Sequence, residues 1–235
     1  MSGHQAVRAL LFDLDGTLIN TEVHSDQAIS AIAARHGIAG YALPPNETHG
    51  RTWAHVAQMM RAQTGIQTDS AVLADEMLDH WKLLVREAAE IPGAARAIHA
   101  AVAAGLRVAI VSSSPRTVIH YFVERLGLGD CVDDRARIGA DSVTRGKPDP
   151  EGYLLGARRL GADPATSLVF EDSRAGLLAA RAAGMRAMFI TCCATDVADN
   201  RLLATSAFRD YEALPESFWR SLAAGSVDLT QGVSA

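Results

Sequence analysis

Four short runs set the architecture: VRALLF (7–12), RVAIV (107–111), SLVF (167–170) and RAMFI (186–190). Past their leading residues they are apolar from end to end. A strand with one wet face alternates apolar and polar side chains, so an unbroken run of this kind fits a strand buried on both faces. From residue 92 onward the runs alternate with helical segments. Residues 93–104 carry Ile98 and Val102 on one face and stop at Gly105. Ser114 followed by Pro115 reads as an N-cap with proline at the first helical position. It leads a stripe of Val118, Ile119, Phe122, Val123 and Leu126 that ends at Gly127. Asp149-Pro150 caps a further helix reaching Gly161, and residues 173–183 form another, stopped by Gly184. This alternation predicts βαβ units, hence a parallel sheet with helices on both sides: a doubly wound, Rossmann-like α/β core.

Residues 20–90 break the alternation. They predict helices over 22–36, 52–64 and 70–89, with LPPN (43–46) as a break and no buried strand between them. A small helical domain at 20–90 is therefore expected, inserted into a core formed by 1–19 and 91–235. Trp53, Trp81 and the Met59-Met60 pair belong to the insertion and are read first as packing, second as ligand contacts. The tail, 224–235, is expected to fray.

The 235 residues are 49% hydrophobic and 21% charged, enough for a packed core and too apolar for disorder. A net charge of −5 without any basic block argues against a nucleic-acid or anionic-membrane surface. An anionic ligand must then be met by a few local cations. The opening MSGHQAVRALLFDLDG lacks the basic and apolar regions of a signal peptide, and no apolar run reaches membrane-spanning length. Cys131 and the adjacent Cys192-Cys193 make a poor disulfide framework and read as reduced thiols. The expectation is a cytoplasmic protein, monomeric or weakly dimeric, with no nucleic-acid or membrane partner.

In open α/β sheets, ligands bind beyond the carboxyl ends of the strands. VRALLF runs into Asp13 and Asp15, with Gly16 and Thr17 behind them. RVAIV runs into Ser112, Ser113 and Ser114, and SLVF into Glu171 and Asp172; the loop before the helix at 150 carries Lys147. Each has an ordinary explanation, since Asp and Ser favour turns and N-caps and acidic residues suit a helix start. Asp149 and Ser173 are read as caps and nothing more. For the rest, the ordinary explanation needs four coincidences at one sheet edge.

DLDGTL (13–18), SSS (112–114), Lys147 in GKPDP, and EDS (171–173) resemble, in order and spacing, the four motifs of the haloacid dehalogenase (HAD) phosphohydrolase superfamily. The insertion resembles its helical C1-type cap. The likeness covers about residues 7 to 190 and is nearest to the branch of sugar-phosphate phosphatases and β-phosphoglucomutases. It implies Asp13 as a nucleophile that forms an aspartyl-phosphate. Asp15 would protonate the leaving oxygen and then deprotonate water, and Lys147 would offset repulsion between carboxylate and phosphate. Mg²⁺ would be held by the Asp13 carboxylate, the Asp15 backbone carbonyl, Glu171 and Asp172, an all-oxygen set suited to a hard cation. Ser112 and the backbone that follows at Ser113 would cradle the phosphoryl oxygens, with Gly16 and Thr17 on the other side. Asp15 also points to phosphoryl transfer, because a halide leaves without a proton and dehalogenase members lack that second acid. Lys82, the cap's one lysine, follows Trp81 in mid-helix and is read as structural or as substrate electrostatics.

Between a phosphatase and a β-phosphoglucomutase-like phosphomutase, the residues favour the phosphatase. The mutase's basic cap loop, Lys-Gly-x-x-Arg, corresponds to HGRTW (49–53), where His49 stands for the lysine and Trp53 for the arginine, with Arg51 close by. The Lys-Asn pair after the serine loop becomes Pro115-Arg116. NTEVH (20–24) is one residue shorter than the mutase hinge, so no role is carried onto His24. Arg51 and Arg116 are candidates for gripping an acidic group on the substrate, with a solvated helix position as the equal alternative for Arg116. His55, His80, His99 and His120 form no metal-ligand pattern and are read as structural. A catalytically silent binding module would lack a motif residue, and none is missing. The expectation is a Mg²⁺-dependent, capped phosphatase of a small phosphorylated metabolite, a sugar phosphate or sugar-acid phosphate.

Overall fold

A computed structural model describes residues 6–48 and 50–229. Its strands are β1 Ala9–Phe12, β2 Arg107–Val111, β3 Arg137–Ile138, β4 Ser167–Glu171, β5 Arg186–Ile190 and β6 Ser206–Phe208. They form one parallel sheet in the order β3-β2-β1-β4-β5-β6. β1 lies centrally, with Phe12 opposite Ile110 of β2 on one side and Phe170 of β4 on the other. The four apolar runs are the four inner strands, as their composition predicts. The edge strands β3 and β6 are two and three residues long, too short to carry such a run.

Among the described residues the helices are α1 Glu22–Arg35, α2 Pro45–Thr48, α3 Trp53–Thr64, α4 Ser70–Leu84, α5 Ala94–Ala103, α6 Arg116–Arg125, α7 Glu151–Arg159, α8 Arg174–Ala182, α9 Val197–Arg201 and α10 Glu216–Ala224. None is long and apolar enough to cross a membrane. Side chains of β1 divide between the two faces. Leu10 and Phe12 join Ile98, Ile119, Phe122 and Trp219 of α5, α6 and α10. Leu11 joins Tyr153, Ala157, Leu177 and Ala180 of α7 and α8. Both faces are covered, which is why the run shows no alternation.

Between β1 and β2, helices α1, α3 and α4 pack through a cluster of their own, built on Ile29, Ile32, Val56, Met60, Leu73 and Met77. The chain enters and leaves this helical unit side by side. Asn20 N–H donates to Ala89 O and Ile91 N–H to Leu18 O, and Ile19 bridges to Glu90. Trp81 and Val85, near the end of α4, join the sheet-side cluster and tie the unit to the core.

Local readings differ in three places. The helix expected over 70–89 ends at Leu84 and tightens into a 3₁₀ turn, Val85–Glu87. LPPN is not a plain break, because Pro45 opens α2, at a position where its missing N–H is no loss. α6 starts at Arg116, with Pro115 rather than Ser114 at the N-cap. The Ser114 hydroxyl is engaged by Asp15, and Asp141 Oδ1 accepts from the Arg116 N–H instead. The readings of residues 1–5 and of the last tail residues, 230–235, lie outside the described residues.

Candidate active site

The order of strands reverses direction at β1: β2 and β3 lie to one side, β4, β5 and β6 to the other. The crevice at the carboxyl end of such a strand is where open α/β sheets bind ligands. Asp13 is the first residue beyond β1, and its N–H donates to Phe170 O at 3.0 Å. Pairing with β4 thus continues one step past the strand and fixes the Asp13 backbone. Glu171 ends β4 beside it, and Asp172 follows.

Lys147 reaches this point from the loop before α7. Its Nζ lies 2.5 Å from Asp13 Oδ1 and 2.6 Å from Glu171 Oε1, and all three side chains are buried. Glu171 is an anchor. Its Oε1 also accepts from the Tyr153 hydroxyl at 2.7 Å, and its Oε2 accepts from Asp172 N–H, Ser173 N–H and the Ser173 hydroxyl. Ser173 therefore does more than cap α8, although it also accepts from Gly176 N–H as a cap should. Gly176 makes room for this anchor, because a Cβ there would collide with the Glu171 carboxylate. Gly176→Ala is expected to destabilise the protein by about 1–3 kcal/mol through overpacking against a side chain held from both oxygens. A thermal melt checks it.

Asp13, Glu171 and Asp172 bring carboxylate oxygens within 4.8 Å of one another. One ammonium among three buried carboxylates leaves two negative charges uncompensated, an arrangement that burial penalises. Burial first, and repulsion from the neighbouring carboxylates after it, push Asp13 and Asp172 well above the ordinary carboxylate range; Lys147 pulls both down. Burial works against the Lys147 ammonium, but Asp13 and Glu171 reverse this and hold it above its ordinary value.

Asp172 Oδ1 accepts from Thr17 at 3.1 Å, while its Oδ2 is buried without a hydrogen-bond partner. Gly16, at φ +79°, allows this approach, since any Cβ there would run into the Asp172 carboxylate. An orphaned carboxylate oxygen, two unmatched charges and an all-oxygen donor set fit a hard divalent cation such as Mg²⁺. Glu171 has both oxygens engaged by donors, whereas Asp172 keeps one without a partner.

Asp15 sits in a different setting. Thr21 donates to its Oδ1 at 2.9 Å, and Ser112 and Ser114 donate to its Oδ2 at 3.0 and 2.9 Å. Burial lifts its carboxyl above the ordinary value, while the three hydroxyls and Lys147 pull it back. Such a carboxyl is suited to holding a proton and releasing it. The expected phosphate cradle is engaged within the protein. Ser112 Oγ accepts from Ser114 N–H, Ser113 donates to Gly50 O at 2.8 Å, and Gly16 N–H donates to Ile19 O at 2.7 Å. Gly16 and Thr17 therefore shape the turn and support Asp172.

A cavity of about 40 Å³ lies over these residues. Asp13, Asp15, Ser113 and Ser114 line it from the core; Ile29, Arg51, Trp53, Val56 and Trp81 line it from the helical unit. Arg51 also reaches the core, with Nη1 3.4 Å from Lys147 O.

A model of the haloacid dehalogenase-like hydrolase family matches residues 7–184. The chain belongs to that family. The hydrolase is 33% identical over 193 residues to validoxylamine A 7'-phosphate phosphatase of Streptomyces hygroscopicus subsp. limoneus, covering 78% of this chain and 85% of that one. It is 32% identical over 182 residues to hexitol phosphatase A of Escherichia coli, covering 75% and 80%. Among solved structures, β-phosphoglucomutase from Clostridium difficile has a TM-score of 0.77 at 18% identity, covering 93% of this chain and 97% of that one, a likeness of fold. CbbY from Rhodobacter sphaeroides in complex with phosphate has a TM-score of 0.65 at 26% identity, covering 78% and 86%.

Not every expected residue of the hydrolase reaches the cavity. Arg116 does not line it: its guanidinium holds Asp134, 2.5 Å from the carboxylate and 2.7 Å from the carbonyl. His24 turns to Gln27, and the neighbouring Ser25 lines the cavity. His49 lies outside the described residues, so the 49–53 loop is seen from Gly50 onward. His80, His99 and His120 contact Arg35, Cys131 and Arg137. Sequence reasoning passed over Thr21, Tyr153 and Ser25. Tyr153 left a trace, as a hydroxyl on an otherwise apolar helix face, and Thr21 and Ser25 left none.

Proposed function

We propose that this hydrolase is a Mg²⁺-dependent phosphatase of small phosphorylated metabolites, with residues 20–90 as a cap on a core of 1–19 and 91–235. It works in the cytoplasm as a monomer or weak dimer, without nucleic-acid or membrane partners. The observation that carries the reading is the contrast between Asp13 and Asp15. Two carboxyls two residues apart, Asp13 buried and Asp15 partly buried, stand in opposite settings, one on an ammonium and the other ringed by hydroxyls. The names of the validoxylamine phosphate and hexitol phosphatases support a phosphorylated polyhydroxylated metabolite as substrate.

Asp13 attacks phosphorus, forming an aspartyl-phosphate as the ester P–O bond breaks, and Asp15 gives its proton to the departing oxygen. Water then attacks the same phosphorus. Asp15, now a carboxylate, takes the water's proton, and the bond from Asp13 to phosphorus breaks to release phosphate. Lys147, positioned by Glu171, favours the anionic form of Asp13 and offsets its repulsion with the incoming phosphate. Asp13, Asp172 and the Asp15 carbonyl would hold Mg²⁺, which supplies charge neutralisation for the phosphoryl oxygens. Glu171, expected as a further ligand, is also the anchor of Lys147 and of the 171–173 turn. The Ser112 and Ser113 hydroxyls pass from Asp15 and Gly50 to phosphoryl oxygens when substrate enters.

A phosphomutase needs a second phosphate site. Among the described residues, the cap offers this cavity one cation, Arg51, which favours hydrolysis. Phosphate release across a panel of phosphometabolites, with Mg²⁺ and with EDTA, is the test. At least one ester should turn over in a reaction that EDTA abolishes. Turnover only with a sugar bisphosphate activator would turn the assignment to the mutase, and no turnover of any ester would overturn it.

A further inference from the structure

Buried polar atoms without a partner are rare in folded proteins, and each needs an explanation. Six side-chain atoms of the described residues are of this kind, and three belong to the active site: Asp172 Oδ2, Arg51 Nε and Trp81 Nε1. They divide by chemistry. The acceptor lies in the core, among the carboxylates that fit a cation. The two donors belong to cap residues that line the cavity, Arg51 and Trp81. Trp81 is 1% exposed and lies edge-on to Trp53, with ring centroids 6.0 Å apart. Packing alone explains its ring, which joins the sheet-side cluster, but a phenylalanine or leucine would fill that role with no N–H to bury. Arg51 reinforces the point. The one hydrogen bond of its side chain to a described residue goes to Lys147 O, and no carboxylate of those residues pairs with it.

We propose that Trp81 is a specificity residue whose indole N–H, alongside Arg51 Nε, donates to a carboxylate on the substrate's leaving group. Ile29, Val56 and Trp53 pack against the leaving group's carbon skeleton. The inference rests on the phosphatase reading and narrows it to phosphate esters of small hydroxy acids. A carboxylate fits because it carries only acceptors, can serve two donors with its two oxygens, and matches the guanidinium charge. A neutral hydroxyl would leave that charge unanswered.

The probes are 6-phosphogluconate, glucose 6-phosphate and phenyl phosphate, which share the phosphate and differ in what the leaving group carries. The wild-type enzyme should show its highest kcat/KM on 6-phosphogluconate. Trp81→Phe keeps the ring and loses the N–H; its kcat/KM on 6-phosphogluconate should fall about tenfold further than on phenyl phosphate, mainly through KM. A second measurement does not depend on that variant folding. In ¹⁵N-tryptophan-labelled Asp13→Asn protein with Mg²⁺, 6-phosphogluconate should shift the Trp81 indole resonance downfield and slow its exchange, and leave Trp219 in place. Equal losses on both esters, a Trp81 resonance unmoved by saturating 6-phosphogluconate, or a wild-type preference for glucose 6-phosphate would each overturn the inference. Inactivity of the wild-type enzyme on all three esters would count against the phosphatase reading itself.

Discussion

Asp13→Asn should reduce phosphate release by on the order of 10⁴-fold or more, with the fold intact. An amide has nearly the shape of the carboxylate but no anionic oxygen to attack phosphorus. Stability should survive, because Lys147 keeps its 2.6 Å partner Glu171 and is not left as an unpaired buried charge. The substitution also removes one of three crowded carboxylates. Kinetics beside a thermal melt would show both halves. Near-normal Mg²⁺-dependent turnover in this variant would sink the proposed chemistry, whatever its melting temperature.

The second large effect is expected at Asp172, and there activity and stability should move in opposite directions. Asp172→Asn keeps an oxygen for Thr17 but removes the charge from an oxygen that is buried and without a partner. Turnover at ordinary Mg²⁺ should fall by roughly 10²-fold and recover in part at high Mg²⁺, as expected when a cation's affinity is lost. In metal-free protein the same change should raise stability by about 1–2 kcal/mol, because an unpaired buried carboxylate is a liability until a cation meets it. Melts with and without Mg²⁺ separate the two effects. A variant less stable in both conditions would mean that Asp172 holds the fold and not a cation.

The inner strands and the reacting residues were legible for different reasons. β1, β2, β4 and β5 read as strands because each is covered on both faces, which confines polar residues to the ends of the run. β3 and β6 sit at the edges, where two or three residues carry no pattern. Asp13, Asp15, Glu171 and Asp172 could be found because strand ends gather them at one edge and strand ends are visible in the sequence; Lys147 was found through the order and spacing of the motifs. What each side chain holds there was not visible. Ser114 before Pro115 gives the same local signal whether its hydroxyl caps α6 or turns to Asp15, and Asp15 is 99 residues away. Glu171 and Asp172 look equivalent as neighbours. Only the fold shows that one is saturated by donors and the other keeps an oxygen free. Arg116 looked available until the fold brought Asp134 to it. Trp81 read as packing because a buried indole leaves no polar mark in a helical stripe.

The claim on which all of this depends is that phosphorus is transferred to Asp13 before it reaches water. Turnover quenched in acid at the earliest times, followed by digestion and mass spectrometry, tests it directly. The peptide containing Asp13 should carry one phosphoryl group, and the same peptide from Asp13→Asn should carry none. A phosphoryl group on another side chain, or its absence at every quench time from an enzyme that is releasing phosphate, would contradict the account.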